Sequence, residues 1–201
     1  MAANERYDAV IVGAGFAGLY MLHKLRQAGR TAIVLEAGSG VGGTWFWNRY
    51  PGCRCDVESM QYSYSFSDEL QQEWRWSERF AGQPEILSYA EHVAGRFGLT
   101  ASIRLDTRVT AARYDEAGRD WTVETEQGDV IQARFCIMAT GCLSAARTPE
   151  LPGLASLADP RTTPGTGQRR EWTSPVSGSA LSAPDHREYR PSRNWRGRPG
   201  T

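Results

Sequence analysis

The sequence has no excess charge of either sign, because 23 lysines and arginines balance 23 aspartates and glutamates over 201 residues. Proteins that bind nucleic acid or an anionic membrane surface usually carry a basic excess, so neither partner is predicted. No apolar run approaches the length of a membrane span, and "MAANERYDAV" lacks the basic-then-apolar order of a signal peptide. These absences predict a globular cytoplasmic protein. Nothing in the sequence indicates an oligomeric state.

Cysteine and lysine are also scarce. The four cysteines, Cys53, Cys55, Cys136 and Cys142, are accompanied by no second CxxC and no histidine cluster that would complete a zinc site. We therefore predict free thiols and no metal. Lys24 is the only lysine among the 23 basic residues, which is typical of a GC-rich coding sequence.

Two buried strands and a helix are predicted near the N-terminus. The apolar run at 9–12 and the run "TAIVLE" have no polar alternation, as expected for strands buried on both faces of a parallel sheet. Between them, apolar residues recur at helical spacing from Phe16 to Leu25, and Gly29 follows as a stop. Parallel strands need such a crossover, so a β-α-β unit is predicted.

The remaining pattern predicts a mixed α/β fold. Residues 38–83 are rich in Gly, Trp and Tyr without a regular period, which favours a functional loop. "QPEILSYAEHVAGRFG" is predicted as a helix, and "SIRLDTRVTAARYDE", "DWTVETEQG" and "DVIQARFCIMATG" are predicted as strands with a hairpin turn at 127–129. The expected architecture is a parallel sheet with helices and a β-hairpin or meander layer.

A glycine motif joins the first strand to the helix. Gly13, Gly15 and Gly18 form GxGxxG, in which the three glycines respectively permit the tight turn, backbone approach to a pyrophosphate and close helix–strand packing. The helix N-terminus offers N–H groups to the phosphates. Glu36, after the second strand, can accept hydrogen bonds from ribose hydroxyls and disfavours a 2′-phosphate. The pattern predicts FAD or NAD rather than NADP; the alternative is a glycine-rich turn without a ligand.

Four further stretches resemble one flavoprotein family. "GAGFAGLYMLHKL", "VGGTWFWNRYPGCRCDVES", "YSYSFS" and "IMATGCLS" are similar to the FAD-binding part of Baeyer–Villiger monooxygenases of the cyclohexanone and phenylacetone type, over about residues 5–157. The resemblance implies a Rossmann-type FAD-binding domain at 5–157, incomplete because the family closes this domain with C-terminal sequence.

The resemblance also implies a set of FAD contacts. They are Gly13, Gly15, Phe16, Gly18, Glu36, Gly43, Thr44, Trp45, Phe46, Trp47, Arg54, Cys55, Asp56, Tyr62, Val109, Ala139, Thr140 and Gly141. The segment 54–56 is expected between flavin and nicotinamide, where Asp56 would orient a catalytic arginine expected on a downstream segment that this sequence does not contain. Two plainer interpretations stay open: a local ion pair between Arg54 and Asp56, and ordinary core packing of the tryptophans.

The activity implied by the resemblance is oxygen insertion into a ketone. NADPH reduces the bound FAD, which then reacts with O2, and the ketone becomes an ester or lactone. Because the NADPH domain and the catalytic arginine are not recognisable here, this chain alone is predicted not to turn over. The alternatives are an N- or S-oxygenating flavin monooxygenase and a non-catalytic FAD-binding fragment.

Residues 158–201 depart from the family's pattern. After "LPGL" the family continues with FxGxxxHxxxWP and a second GxGxxG for NADPH, whereas this sequence continues "SLADPRTTPGTGQRREWTSPVSG". A one-nucleotide slip near Arg161 permits "LADPRYHTGHWP", with Leu157 and Asp159 in place of Phe and Gly, and later "VGVVGTGSSGI". We therefore predict an unstructured, out-of-frame tail from about residue 162, replacing the NADPH domain; a genuine disordered tail is the alternative.

Overall fold

The computed structural model describes residues 5–144, which divide into two units, 5–53 with 83–144 and 54–82. The predicted tail at 158–201 lies outside the described residues. The helices are α1 (Phe16–Gln27), α2 (Thr44–Trp47), α3 (Asp68–Glu73) and α4 (Gln83–Arg96), with short 3-10 turns at Ser59–Tyr62 and Leu99–Ser102. The strands are β1 (Glu5–Val12), β2 (Ala32–Leu35), β3 (Ile103–Arg104), β4 (Val109–Asp115), β5 (Asp120–Thr125) and β6 (Val130–Met138).

The first unit contains one six-stranded sheet in the order β3-β2-β1-β6-β5-β4. Strands β3, β2, β1 and β6 are parallel, and β5 and β4 continue the sheet in antiparallel fashion. Val10 of β1 pairs with Ile33 on one side and Cys136 on the other. The predicted parallel sheet with its β-α-β crossover and hairpin is therefore confirmed, and the hairpin strands extend the same sheet.

Both faces of β1 are buried, which explains its unbroken apolar run. Ala9 and Ile11 pack in a cluster with residues of α1 and α4, whereas Val10 packs in a second cluster with Val123 and Ile131. All five side chains are at most 1% exposed. Fully burying a large aliphatic side chain contributes about 1.5–3 kcal/mol, so the strand is held from both sides.

Helix α1 begins and ends where the glycines predicted. Its N-cap is Gly15, and after Gln27 the chain turns at Gly29, whose φ is +68°. Lys24 and Arg26 lie in the last turn, where positive charge interacts favourably with the helix dipole. The hairpin turn predicted at 127–129 is also present, with Gly128 at φ +88° and its N–H donating to Thr125.

The second unit, 54–82, has no regular apolar period and is held together by short helical turns and side-chain hydrogen bonds. Ser67 caps α3 by accepting a hydrogen bond from the backbone N–H of Leu70 at 3.2 Å. The indole N–H of Trp76 donates to the Ser63 hydroxyl at 2.9 Å. Side-chain bonds of this kind are invisible to periodicity, which is why the segment was predicted only as a loop.

No helix within residues 5–144 combines the length and apolar character needed to cross a membrane.

Candidate functional site

The turn after β1 requires glycine at position 13. Gly13 has φ +105°, and a Cβ there would lie 2.6 Å from the carbonyl oxygen of Ala139. The Gly13 N–H donates to Leu35 at 2.8 Å, and the Ala139 N–H donates to Val12 at 2.9 Å. The carboxyl ends of β1, β2 and β6 therefore meet at this turn. A ligand at the turn lies at the edge where open α/β sheets bind theirs.

Gly18 brings α1 against the same turn. A Cβ at Gly18 would collide with the carbonyl oxygen of Gly13, so any side chain would push the helix away from the strand. The predicted close packing of helix and strand at this glycine is what the geometry requires. Gly13 and Gly18 thus set the distance between the loop after β1 and the first helical turn of α1.

The second glycine of the motif, Gly15, faces the glycine doublet at 42–43. A Cβ at Gly15 would meet only the backbone of Gly43, at 3.5 Å, and a Cβ at Gly43 would lie 2.9 Å from the Cα of Gly15. Gly43 is held at φ +56°, which L-residues with side chains rarely adopt. Two side-chain-free backbones therefore face each other at the N-terminus of α1. They pack directly against each other, so a phosphate group at the helix N-terminus would meet no side chain from either glycine and could approach backbone N–H donors.

Glu36 connects the loop that contains Ala14 to the loop that contains Gly38. The carboxylate is 5% exposed; one oxygen accepts from the Ala14 N–H at 2.6 Å and the other from the Gly38 N–H at 2.8 Å. The Ala14 carbonyl in turn accepts from the Gly42 N–H at 3.0 Å. A carboxylate has about four lone-pair sites, so two bonds leave capacity for ligand hydroxyls. The arrangement places a buried acceptor beside the glycine turn.

The aromatic residues after the doublet form α2. Trp45 is buried, and Phe46 and Trp47 are half-buried and meet edge to face with ring centroids 5.3 Å apart. Thr44, also half-buried, begins the helix next to Gly43. The four residues predicted to line a flavin therefore occupy one helical turn that starts directly after Gly43.

Phe46 supports the loop that follows Glu36. Its ring lies against Gly38 and Gly40, where a Cβ would come within 2.8 and 2.5 Å of ring carbons. Arg49 covers the ring, with its guanidinium carbon 4.6 Å from the centroid, and its Nε donates to the Phe46 carbonyl at 2.7 Å. The ring is packed from both sides, so Phe46 orders the loop as well as being a candidate cofactor contact.

The segment after β6 completes this part of the site. Ala139 lies against Gly13, as described above, while Thr140 is exposed and Gly141 has φ +67°. Phe16, the first residue of α1, is half-buried and stacks with Tyr89 at 6.1 Å. Val109 starts β4, pairs with Thr125 and packs on the cluster that contains Val10. Within residues 5–144, the pairing and packing of Val109 place it in the sheet and in this cluster rather than at the glycine turn.

The remaining predicted residues belong to the second unit. Arg54 donates to the Glu78 carboxylate at 3.0 Å and to the Phe80 carbonyl at 3.1 Å, so its ion pair is with Glu78 rather than with the neighbouring Asp56. Cys55 is buried and its thiol contacts the Ala81 carbonyl at 3.4 Å. Asp56 is exposed, and Tyr62 ends the 3-10 turn half-buried.

Two buried amide side chains near α2 were missed by the sequence analysis. Asn48 is 5% exposed, and its Nδ2 donates to the carbonyls of Thr44 and Leu143. Gln83 is 8% exposed, and its Nε2 donates to the carbonyl of Trp45. Both are polar residues that periodicity assigns to a surface. The only available signal was the placement of Gln83 immediately before a helix-starting proline.

Comparison with known proteins places this geometry in a family. Residues 10–163 match the family described as pyridine nucleotide-disulphide oxidoreductase. The chain belongs to this family. Among the curated relatives, an acetone monooxygenase (methyl acetate-forming) from Gordonia sp. (strain TY-5) is 46% identical over 146 residues, which cover 73% of this chain and 27% of the relative. The phenazine N-monooxygenase PhzNO1 from Lysobacter antibioticus is 45% identical over 156 residues, covering 76% and 29%.

Solved structures give the same result for this chain. An oxidized steroid monooxygenase bound to NADP has a TM-score of 0.71 and 61% sequence identity, covering 75% of this chain and 29% of that chain. Other relatives are named Baeyer–Villiger monooxygenases, at 44% and 41% identity. The predicted family resemblance and Rossmann-type α/β fold are confirmed. The chain spans less than a third of the length of these relatives.

Proposed function

We propose that this chain forms the FAD-binding part of an NADPH- and O2-dependent monooxygenase that converts a ketone to an ester or lactone. The observation that carries the proposal is the position of Glu36, whose carboxylate joins the GxGxxG turn at Ala14 to the following loop at Gly38. The 46% identity to an acetone monooxygenase that forms methyl acetate supports the reaction type. FAD, when bound, would supply the oxygen-transfer chemistry.

The residues around the turn fit a dinucleotide. Gly15 and Gly43 pack backbone against backbone beside the N-terminus of a 12-residue helix, and a Cβ on Gly43 would press on the Cα of Gly15. A pyrophosphate there would receive backbone N–H bonds and the favourable end of the helix dipole. Glu36 would accept hydrogen bonds from the adenosine ribose through the lone pairs that Ala14 and Gly38 leave available.

The flavin end of the cofactor is proposed to lie along α2. Helix α2 begins directly after Gly43, so a cofactor whose phosphates lie at the contact between Gly15 and Gly43 would have Thr44, Trp45, Phe46 and Trp47 next to it. Their aromatic side chains would pack against the ring system and exclude water. Ala139, Thr140 and Gly141 would bound the same region from the end of β6.

The second unit is proposed to serve the nicotinamide side. Arg54, Cys55 and Asp56 would stand between flavin and NADPH, and the ion pair between Arg54 and Glu78 would hold the guanidinium in one orientation. Asp56 is exposed, which leaves its carboxylate available to orient an arginine. Tyr62 and Val109 are proposed as further FAD contacts.

A second candidate reaction is N-oxygenation. The phenazine N-monooxygenase is 45% identical over a similar span, so the FAD-binding part does not by itself separate ketone from nitrogen substrates. The two reactions share FAD, NADPH and O2 and differ in the nucleophilic or electrophilic character of the substrate. Because this chain alone is not expected to turn over, acetone and phenazine would be offered in parallel, with NADPH, to the protein encoded when the shifted frame is restored; ester or N-oxide formation would distinguish the two reactions.

A cytoplasmic location is also proposed. All four cysteines are free thiols, as expected in a reducing compartment. The balanced charge of 23 basic and 23 acidic residues supports a small-molecule substrate rather than nucleic acid.

The full chain, purified and titrated with FAD, tests the proposed cofactor. We expect the visible flavin bands to be perturbed on binding, FMN to bind more weakly because it lacks the adenosine and second phosphate, and ADP to compete. Equal binding of FMN and FAD, or no binding of either, would refute the dinucleotide site. We further expect no ketone-dependent NADPH oxidation by this chain alone; measurable turnover would overturn that expectation.

A further inference from the structure

Helix α2 is too short to hold its own position. It spans four residues, Thr44–Trp47, and an isolated helix of this length is unstable in water because nucleation costs more than so few hydrogen bonds return. Its residues are nevertheless the ones proposed to face the flavin. Their placement therefore depends on bonds to other segments.

Asn48 supplies such bonds at the C-terminal end of α2. Its backbone leaves the helix at φ −96° and ψ 103°, and its side chain turns back over the last turn. Nδ2 donates to the Thr44 carbonyl at 2.9 Å and to the Leu143 carbonyl at 3.1 Å. Two carbonyl oxygens face the same terminal atom, which identifies that atom as the nitrogen. Both amide hydrogens are used, on acceptors from two different segments.

The two segments joined in this way both contain proposed cofactor contacts. Thr44 begins the turn after the glycine doublet, and Leu143 lies two residues after Gly141 in the segment that follows β6. We propose that Asn48 is a positioning residue that sets the distance between α2 and the segment 139–143, and through it the environment of the flavin. This inference rests on the proposed FAD site.

The chemistry of position 48 is specific to asparagine. A short side chain with two N–H donors is needed to reach two carbonyl oxygens from the helix end. An ionised aspartate would present only acceptors to those carbonyls and would repel them, whereas a protonated aspartic acid could restore one of the two bonds. In Asn48→Ala, the Thr44 carbonyl would keep the hydrogen bond from the backbone N–H of residue 48. The Leu143 carbonyl would lose the side-chain donor that Asn48 provides.

Hydrogen exchange on the full chain tests the coupling without the cofactor. Asn48→Ala is expected to accelerate amide exchange about tenfold in both 44–48 and 139–144 while leaving β1 unchanged, because one side chain holds both segments. Acceleration confined to 44–48 would overturn the inference, since it would show a local helix cap and no connection. No acceleration in either segment would overturn it as well.

Titration with FAD tests the consequence for the cofactor. Relative to wild type, Asn48→Asp is expected to bind FAD at least about tenfold more weakly at pH 8 and to recover part of this loss at pH 5, because burial against two carbonyl oxygens should raise the pKa of the introduced carboxyl. The visible circular dichroism of bound flavin should change in Asn48→Ala. Unchanged affinity and spectrum in both variants would overturn the role at the flavin.

The matched control is Gln127→Glu. Gln127 is an exposed amide on the hairpin turn that also donates to a backbone carbonyl, that of Asp106. Gln127→Glu makes the same change from amide to carboxylate at a distance from α2. The FAD affinity of this variant should not recover between pH 8 and pH 5. Wild-type chain that fails to bind FAD would refute the proposed function, while the exchange pattern would still decide the coupling.

Discussion

The carboxylate of Glu36 lies 2.6 Å from the backbone nitrogen of Ala14, the residue between the first two glycines of GxGxxG. This hydrogen bond spans 22 residues of sequence and fixes the turn after β1 to the end of β2. The same carboxylate binds Gly38 at 2.8 Å. The acid therefore orders the loops around the candidate site, in addition to its proposed role as an acceptor for ribose hydroxyls.

Replacing Glu36 with glutamine removes its charge and one of its two acceptor oxygens, so the effect can be compared with the loss of an ordinary surface charge. The amide oxygen can accept from one N–H only, and its NH2 group would face the other donor, leaving a buried group without a partner at a cost of about 1–3 kcal/mol. We expect Glu36→Gln to lower the unfolding free energy and to weaken FAD binding about tenfold or more, measured by urea denaturation and flavin titration.

Glu91→Gln is the matched control for that substitution. Glu91 is exposed on α4, so the same loss of charge should leave stability within about 0.5 kcal/mol and FAD binding unchanged. Equal effects of the two substitutions would contradict the assignment of Glu36 to the site.

Gly13 is expected to be intolerant of alanine for two separable reasons. Its φ of +105° costs a side-chain-bearing residue about 1–2 kcal/mol, and the new Cβ would also press on the Ala139 carbonyl oxygen. The turn and the end of β6 would have to separate. We expect Gly13→Ala to lose flavin binding and to unfold at markedly lower urea concentration.

Gly29→Ala isolates the backbone contribution. Gly29 also has a positive φ, +68°, but a Cβ there would meet nothing within 4 Å. The stability of this variant should fall only by the conformational cost of the positive φ, and its FAD binding should be unchanged. A Gly13→Ala protein that binds FAD as well as Gly29→Ala does would show that the contact with Ala139 is unimportant.

The fold was predictable where burial leaves a direct mark on the sequence. The run at 9–12 is apolar because both faces of β1 are buried, and α1 is bounded by Gly15 and Gly29. The strand actually starts at Glu5, because its pairing with β6 continues over residues whose side chains are partly exposed and therefore polar. Polar residues at a strand start give no period to detect.

One predicted strand is divided in the structure. The stretch "SIRLDTRVTAARYDE" forms β3 and β4, separated at Asp106, which has φ +51°. Aspartate tolerates the left-handed region better than most residues, but nothing in the local pattern demands it. The break is set by hydrogen bonds from Asp106 and Thr107 to the Gly38 and Glu36 carbonyls, which only the folded chain brings near.

The glycines and the acid of the candidate site could be proposed from the sequence, because a pyrophosphate and a ribose would require those residue types at that spacing. Asn48 and Gln83 were not predictable, since their importance depends on which carbonyls the fold places beside them. Phe46 was predicted as a flavin contact, and its packing on Gly38 and Gly40 emerged only from the structure.

The cysteines should differ in their rates of alkylation. Burial raises the pKa of the Cys53 thiol, opposed in part by a hydrogen bond with Tyr50, and burial alone raises the pKa of Cys136. Because the thiolate is the reacting species, iodoacetamide at pH 7.5 should modify exposed Cys142 first and Cys53 and Cys136 slowly.

Raising the pH should accelerate modification of Cys53 about tenfold per unit, as long as the pH stays below its raised pKa. Peptide mass spectrometry measures each site, and in urea all four cysteines should react alike. Folded-state labelling of Cys53 as fast as that of Cys142 would contradict the burial.

The coding DNA provides the last prediction. The family match ends at residue 163, close to Arg161. A one-nucleotide slip near Arg161, if present, would let the shifted frame continue the family's pattern. Each codon of the shifted frame takes the third base of one residue's codon and the first two of the next, so few amino acids are allowed at each position. Chance agreement with a valine-rich strand followed by a GxGxxG motif is therefore rare. Independent sequencing of the DNA across codons 150–201 should give a shifted frame that continues through Gly-Thr-Gly-Ser-Ser-Gly. A stop codon before those glycines, or a different residue at any of them, would refute the slip and leave 158–201 as a natural extension.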